Sequence, residues 1–334
     1  DKDTILKTYK SAKTIKNKQK GSTDTFSVFT ELGFNMLNNG GNLSYIVPLT
    51  ITTGDSMTGI QNLLLENCER VSISSYCDRP IQIFKNAHKK LSIVSFTKTD
   101  TPVENLMMTK MHRLKNDTDL NTLLSDLEFT AVTKDIALYG RLPKISNTIE
   151  SLMLRKLLSN EYSSIQKLID PRGAPLYYRS AGGMYFNVVT NYANGLSSEK
   201  PLFVDKELVN PVSAILSSSL FWWYQQVYTD GLNLKAYEIG SFPVPKSLQL
   251  NTNLLEKLDS AYTEYAKDIE DNVVIRESGS YKNVTSFKEY KIRKSIQYID
   301  KIDTIIAELY ELSEEEADFI YNYDRSFRVD EDSE

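Results

Sequence analysis

The side chains best suited to chemistry in this sequence are aromatic and cationic, and they stand side by side. Phe84 lies in "IFKNAHKKLSIVSF", with Lys85 and Lys89 close by. Tyr177-Tyr178-Arg179 closes an apolar run, and Lys282, Lys288, Lys291, Arg293 and Lys294 cluster in the final third. Cations contact phosphates, and aromatic faces stack on bases. The same tyrosines also read as strand core, the commoner use of such residues. His112, set among Lys110, Arg113 and Lys115, reads as a surface group. Two histidines and two cysteines make no zinc cluster, and no PD-(D/E)xK-like arrangement supports a nuclease.

Composition sets the bounds. With 334 residues, 41% hydrophobic and 25% charged, the chain has room for two soluble domains. A net charge of −5 argues against a uniformly basic binder but leaves room for a local basic patch. Lys2, Lys7, Lys10, Lys13, Lys16, Lys18 and Lys20 make the first 23 residues basic, as a solvated face or as a segment near phosphates. No apolar run reaches membrane-spanning length, no signal peptide is present, and Cys68 and Cys77 suit a reducing cytoplasm.

The elements that must position these groups follow from periodicity. Phe26, Phe29, Gly33, Leu37 and Val28, Leu32, Met36 step by three or four, which predicts a helix with one apolar stripe. Asn38-Asn39-Gly40-Gly41 ends it. Leu43 to Val47 then reads as a strand buried on both faces. Asp55 or Ser56 caps a helix to about Asn67, and strands follow at Val71–Tyr76 and Leu91–Phe96, close enough to form an antiparallel pair. Residues 100–150 read as a linker with a short helix near Asp119–Leu127, and 146–169 as an amphipathic helix. Tyr177–Arg179 and Met184–Phe186 suit strands about Gly182-Gly183. Asn210-Pro211 opens one helix reaching about Gly231, and Phe242-Pro243-Val244-Pro245 leaves in an extended path. Leu254, Leu258, Ala261, Tyr262 and Tyr265 share a helix face, and Ile299, Ile302, Ile305, Ile306 and Leu309 are helix-periodic. Ser313 and Glu316 form a capping box, and the tail "RVDEDSE" reads as disordered.

The wording resembles the gamma-class adenine-N6 DNA methyltransferases of type II restriction–modification systems, fused restriction–methylation chains included. "GGNLSYIVP" after an aromatic helix resembles the segment following their catalytic motif. "IFKNA", with Phe84 and Ala87, resembles the loop whose aromatic stacks on the extruded adenine. "YYRSAGG" is similar to wording in their target-recognition regions. "ILSSSLFWWY…LNLKAYEIGSFPVP" resembles their L-F-x-x-Y…FPIP signature, with a packing role for Trp222 and Trp223. "IDTIIAELYELSEEE" is similar to their closing helices.

The resemblance implies an α/β fold: a partial Rossmann-like sheet over 1–100, an α+β target-recognition domain over 101–250, and C-terminal helices over 251–334. It implies methyl transfer from S-adenosylmethionine to adenine N6 in double-stranded DNA, with Phe84 as stacking platform. Lys85, Lys89, Tyr178, Arg179, Lys235, Lys291 and Arg293 are the expected DNA contacts. Two motifs of that family are missing from the sequence: the Gly-rich cofactor motif and the Asn-Pro-Pro-Tyr/Phe tetrapeptide. The expectation is therefore the rear of a catalytic sheet plus a recognition domain, which alone neither binds the cofactor well nor methylates. An upstream catalytic segment, in the same or a separate chain, would complete it. The alternative is a non-catalytic DNA-specificity subunit.

Overall fold

The computed structural model describes residues 4, 6–13, 21–85, 88–100, 106–138, 140–181, 185–277 and 286–329. Ala87, Gly182, Gly183, Met184, Lys282 and the acidic tail lie outside them. The fold is mixed α/β and divides into two units, residues 1–156 with 226–230, and residues 157–225 with 231–334.

In the first unit the expected order of helix, strand, helix, strand, strand is present. The elements are α1 (Thr25–Met36), β1 (Asn42–Pro48), α2 (Thr58–Asn67), β2 (Cys68–Tyr76) and β3 (Leu91–Lys98). β2 and β3 pair antiparallel as expected, Ile73 opposite Val94. β3 is also antiparallel to β1, Tyr45 opposite Val94. It therefore lies between two strands that run parallel to each other without touching. The sheet continues beyond β2 through β4 (Leu106–His112), parallel to it, and β5 (Thr130–Val132), in the order β1-β3-β2-β4-β5. From sequence, residues 100–150 are expected to be a linker with one short helix, in a second domain starting at 101. The structure places Leu106–His112 and Thr130–Val132 in this sheet because Leu106, Met108 and Met111 are buried there. The short helix is α3 (Leu120–Ser125), where the Asp119 carboxylate accepts from the N–H groups of Asn121 and Thr122.

One expectation about the start of this unit is corrected. β1 is not buried on both faces: it is the sheet's edge strand, with Ile46 47% exposed and Val47 buried. Helix α1 turns its polar side inward. Ser27, Thr30, Glu31 and Phe34 are buried, whereas Phe29 is 65% and Met36 77% exposed. Glu31 fixes this orientation, its carboxylate accepting from the backbone N–H groups of Lys10 at 2.8 Å and Ser11 at 2.7 Å. Lys98 on β3 then donates to the α1 C-terminal carbonyls of Leu37 and Phe34, at 2.8 and 3.2 Å, where a cation also suits the helix dipole. Gly40, at φ +81°, makes the turn into β1.

α4 (Thr148–Leu157) stops twelve residues short of the expected helix end at 169. The chain then turns extended because Tyr162–Ser164 (β6) pairs with Pro243–Pro245, the FPVP segment.

The second unit holds a three-stranded antiparallel sheet. β7 (Ile169–Arg179) is flanked by β8 (Val189–Thr190) and β9 (Glu199–Val204). Gly173 sits at a bulge where a Cβ would lie 2.1 Å from the Val204 carbonyl oxygen, so only glycine fits. The expected single helix after Asn210 is two, α5 (Val209–Ser217) and α6 (Ser219–Tyr228). Ser218 separates them: its hydroxyl donates to Ile215 O at 2.7 Å and accepts from Phe221 N–H at 3.2 Å, in place of the helical pattern. Helices α7 (Thr252–Asp271), α8 (Ile296–Leu309) and α9 (Glu314–Asn322) carry the expected apolar faces, and the Ser313–Glu316 capping box opens α9.

The signature residues of this unit pack against one another. Phe242 meets Phe221 edge-on at 5.0 Å and Tyr224 at 5.1 Å. Trp222 and Trp223 are buried, in keeping with a packing role.

Candidate nucleic-acid interface

In the first unit the Phe84 loop joins β2 to β3. Its roots are fixed. Cys77 N–H donates to His112 O at 2.8 Å, and Leu49 N–H to Lys90 O at 3.0 Å. Arg113 bridges Cys77 Sγ (3.2 Å) and Gln226 Oε1 (2.8 Å), and Lys90 Nζ donates to the Asp230 carbonyl. Burial, above all, lowers the Lys90 pKa. The tip is open: Phe84 is 46% exposed, and Lys85 and Lys89 are exposed. A ring on a loop with firm roots can stack on a planar group, with two ammonium groups near enough in sequence to reach phosphates.

The second unit gathers three of the expected DNA contacts around one cavity of about 280 Å³. Its walls include Arg179, Tyr185, Asn187, Tyr290, Lys291 and Arg293. Arg179 ends β7, where its backbone N–H donates to Val188 O at 3.1 Å. A hairpin of β10 (Val274–Glu277) and β11 (Ser286–Glu289) delivers Tyr290, Lys291 and Arg293 just beyond its last strand. The hydroxyl of Tyr290 bonds to Asn194 and Glu270, and burial raises its pKa to about 12. Lys291 pairs with Glu289 at 2.6 Å, and Arg276 pairs with the same carboxylate. Arg276 first, then Lys291, hold Glu289 below its ordinary pKa. Arg293 Nε donates to Arg328 O at 3.0 Å.

Two expected contacts stand elsewhere. Tyr178 is 4% exposed: strand alternation turns it inward beside Leu176, so its ring belongs to the core and not to a DNA-facing surface. Lys235 is exposed at the start of a short helix, its Nζ 3.9 Å from Glu238 and 5.5 Å from the Tyr237 ring centre. Asn187 and Glu289, which share the cavity with Arg179, escaped sequence reasoning. A lone Asn in an aromatic run and a Glu in a mixed-charge run carry no local signal.

One comparison with known proteins falls in the first unit. Residues 1–84 match the family model of the Eco57I restriction-modification methylase. That stretch contains "DTFSVFTELGFNMLNNGGNLSYIVP" and ends at Phe84. No curated protein matches the chain. Among solved structures, the chain is similar in part to the DrdV–DNA complex, at 13% identity and TM-score 0.29 over 39% of this chain and 14% of that one. It is similar also to the ATP-dependent Type ISP restriction-modification enzyme LlaBIII bound to DNA (13% identity, TM-score 0.32, 55% of this chain and 13% of that chain). A nuclease-deletion mutant of the Type ISP enzyme LlaGI with a DNA substrate mimic shows 13% identity and TM-score 0.34 over 55% of this chain and 16% of that one. The chain thus spans about one-seventh of the length of each. Among the described residues no helix is long and apolar enough to cross a membrane, and no group of three His, Cys, Asp or Glu is placed to hold a metal ion.

Proposed function

We propose that this chain is part of a site-specific DNA methyltransferase that transfers methyl from S-adenosylmethionine to adenine N6. The first unit supplies the rear of the catalytic sheet and the base-stacking Phe84. The second unit recognises the DNA target. The observation that carries the reading is the methylase match over residues 1–84, which closes on a half-exposed aromatic at the tip of a sheet-end loop. Lys85 and Lys89 support it as phosphate contacts, as do Arg179, Lys291 and Arg293 around the second unit's cavity.

The sequence of this chain contains neither the Gly-rich cofactor motif nor the Asn-Pro-Pro-Tyr/Phe tetrapeptide. In this reading S-adenosylmethionine is held by a catalytic segment outside these 334 residues, in the same or a separate polypeptide. The outward stripe of Phe29, Leu32 and Met36, and an edge of β1 that no described strand pairs, support such a covering segment. Exposed apolar patches of this kind mark interaction sites, and open strand edges invite pairing.

Binding of the purified chain to duplex DNA at several salt concentrations tests the recognition role. Affinity should fall steeply with salt. Adding a segment that carries the Asn-Pro-Pro-Tyr motif, with labelled methyl donor, should give N6-methyladenine in the digested DNA. Methylcytosine as the only product would refute adenine specificity, and an absence of salt-dependent DNA binding would refute the function.

A further inference from the structure

The hairpin that reaches the second unit's cavity gathers two cations on one carboxylate. Val274 stands opposite Glu289 and Arg276 opposite Phe287, so Arg276 and Glu289 share a face of the hairpin. Arg276 Nε donates to Glu289 Oε2, and Lys291 Nζ to Oε1 at 2.6 Å. Each carboxylate oxygen thus has a cation of its own. All three side chains reach solvent: Arg276 is 54% exposed, Glu289 31% and Lys291 26%. Exposed ion pairs of this kind add little to stability. Their larger effect is on the surface field, because Glu289 cancels positive charge beside Lys291 and Arg293, which line the same cavity.

A phosphodiester offers what this carboxylate offers, two oxygens sharing one negative charge, and arginine and lysine are its ordinary partners. We infer that Arg276 and Lys291 form a site for one DNA backbone phosphate, and that Glu289 fills this site in the free chain. DNA enters by exchange: the phosphate takes both donors, and the exposed Glu289 side chain turns out into water. Arg276, which no sequence motif marks, is thereby a DNA contact. Glu289 restrains the grip on duplex of any sequence, because it must be displaced before the two cations count. The inference rests on the recognition role proposed above and adds to it a contact and the group that governs that contact.

Duplex binding by the full 334-residue chain over a range of salt concentrations tests it. The variants are Glu289→Gln, Arg276→Gln, the two combined, and Glu277→Gln. Far-ultraviolet circular dichroism and melting temperature establish that each folds. Glu289→Gln keeps the side-chain shape and frees both cations. It should bind every duplex more tightly at low salt, and its slope of log affinity against log salt should steepen by roughly one to two, about 0.9 for each cation that reaches a phosphate. Arg276→Gln should weaken binding to all sequences alike and make the slope shallower by about one. With Arg276→Gln already present, Glu289→Gln frees Lys291 alone, and its gain in slope should fall to about half. Glu277→Gln removes the same charge from the residue next to Arg276, on an exposed side chain that pairs with no cation among the described residues. A gain as large in Glu277→Gln as in Glu289→Gln would show general repulsion and overturn the exchange. Unchanged or weaker binding by Glu289→Gln would make the carboxylate a brace of the hairpin and overturn it too. If Glu289→Gln does not fold, Arg276→Gln decides alone, and binding equal to that of the unchanged chain overturns the site. If the chain binds no duplex at any salt concentration, the recognition role fails separately, and titration with inorganic phosphate decides the site. Tighter phosphate binding by Glu289→Gln, lost when Arg276→Gln is added, upholds it, and equal or absent binding overturns it.

Discussion

Asp303 on α8 accepts a 2.8 Å hydrogen bond from the backbone N–H of Ser219, the first residue of α6. The carboxyl is buried, and its second oxygen has no partner among the described residues. Burial pushes its pKa up from 3.8 to about 6, despite the Ser219 bond and the nearby Arg328 charge, which pull it down.

A raised folded pKa means that the neutral acid is the form folding prefers. The stabilisation is complete below about pH 4, is lost as pH rises towards 6, and stays lost above. Asp303→Asn, which keeps an acceptor for Ser219 and cannot ionise, should remove this loss. Between pH 4 and 7 the stability of the unchanged chain should fall by up to about 3 kcal/mol relative to Asp303→Asn. Urea titrations at both pH values measure it, and parallel curves for the two proteins would contradict it.

Phe242 anchors the second unit's aromatic cluster through Phe221 and Tyr224 and has no exposed surface. Phe242→Ala should destabilise this unit by about 3–5 kcal/mol, and Phe242→Leu by distinctly less. Calorimetry showing Phe242→Ala within 1 kcal/mol of the unchanged chain, on that same scale, would remove the cluster from the core.

Glu31 holds two backbone donors, those of Lys10 and Ser11. Glu31→Ala should orphan both and cost about 1–3 kcal/mol for each that water cannot reach. By contrast, Phe29→Glu with Met36→Glu should leave the stability of this chain almost unchanged, because both side chains are exposed. The double variant should abolish stimulation by an added catalytic segment, as a methyl-transfer assay would show. A large loss of stability in the double variant would mean that the stripe is covered from within the chain.

Phe84→Ala should leave the melting temperature nearly unchanged, since the ring is 46% exposed. In duplexes carrying a mismatch at the target adenine, fluorescence of a 2-aminopurine placed there should report loss of stacking. Affinity for such duplexes should drop by about 1–3 kcal/mol. Equal affinity for both proteins would assign Phe84 no part in base stacking.

The sequence by itself determined the elements from α1 to β3 and their order. It also determined the antiparallel β2–β3 pair and the capping box at Ser313. These follow from periodicity, turn chemistry and short loops, which act between near neighbours, and the methylase wording lies in the same local runs. Tertiary structure decided what periodicity does not encode. An apolar stripe on α1 does not say which way it faces, and the Glu31 bonds to Lys10 and Ser11 turn the polar side inward. Leu43–Val47 reads as a central strand, yet its place in the sheet depends on distant β3 slipping between β1 and β2. The alternation that turns Arg179 to the cavity turns Tyr178 into the core, and a tripeptide of similar residues does not say which. The cavity itself joins the end of β7 to a hairpin more than a hundred residues later. Only long-range packing brings Arg179 and Asn187 into the wall of the same cavity as Glu289, whose carboxylate Arg276 and Lys291 occupy.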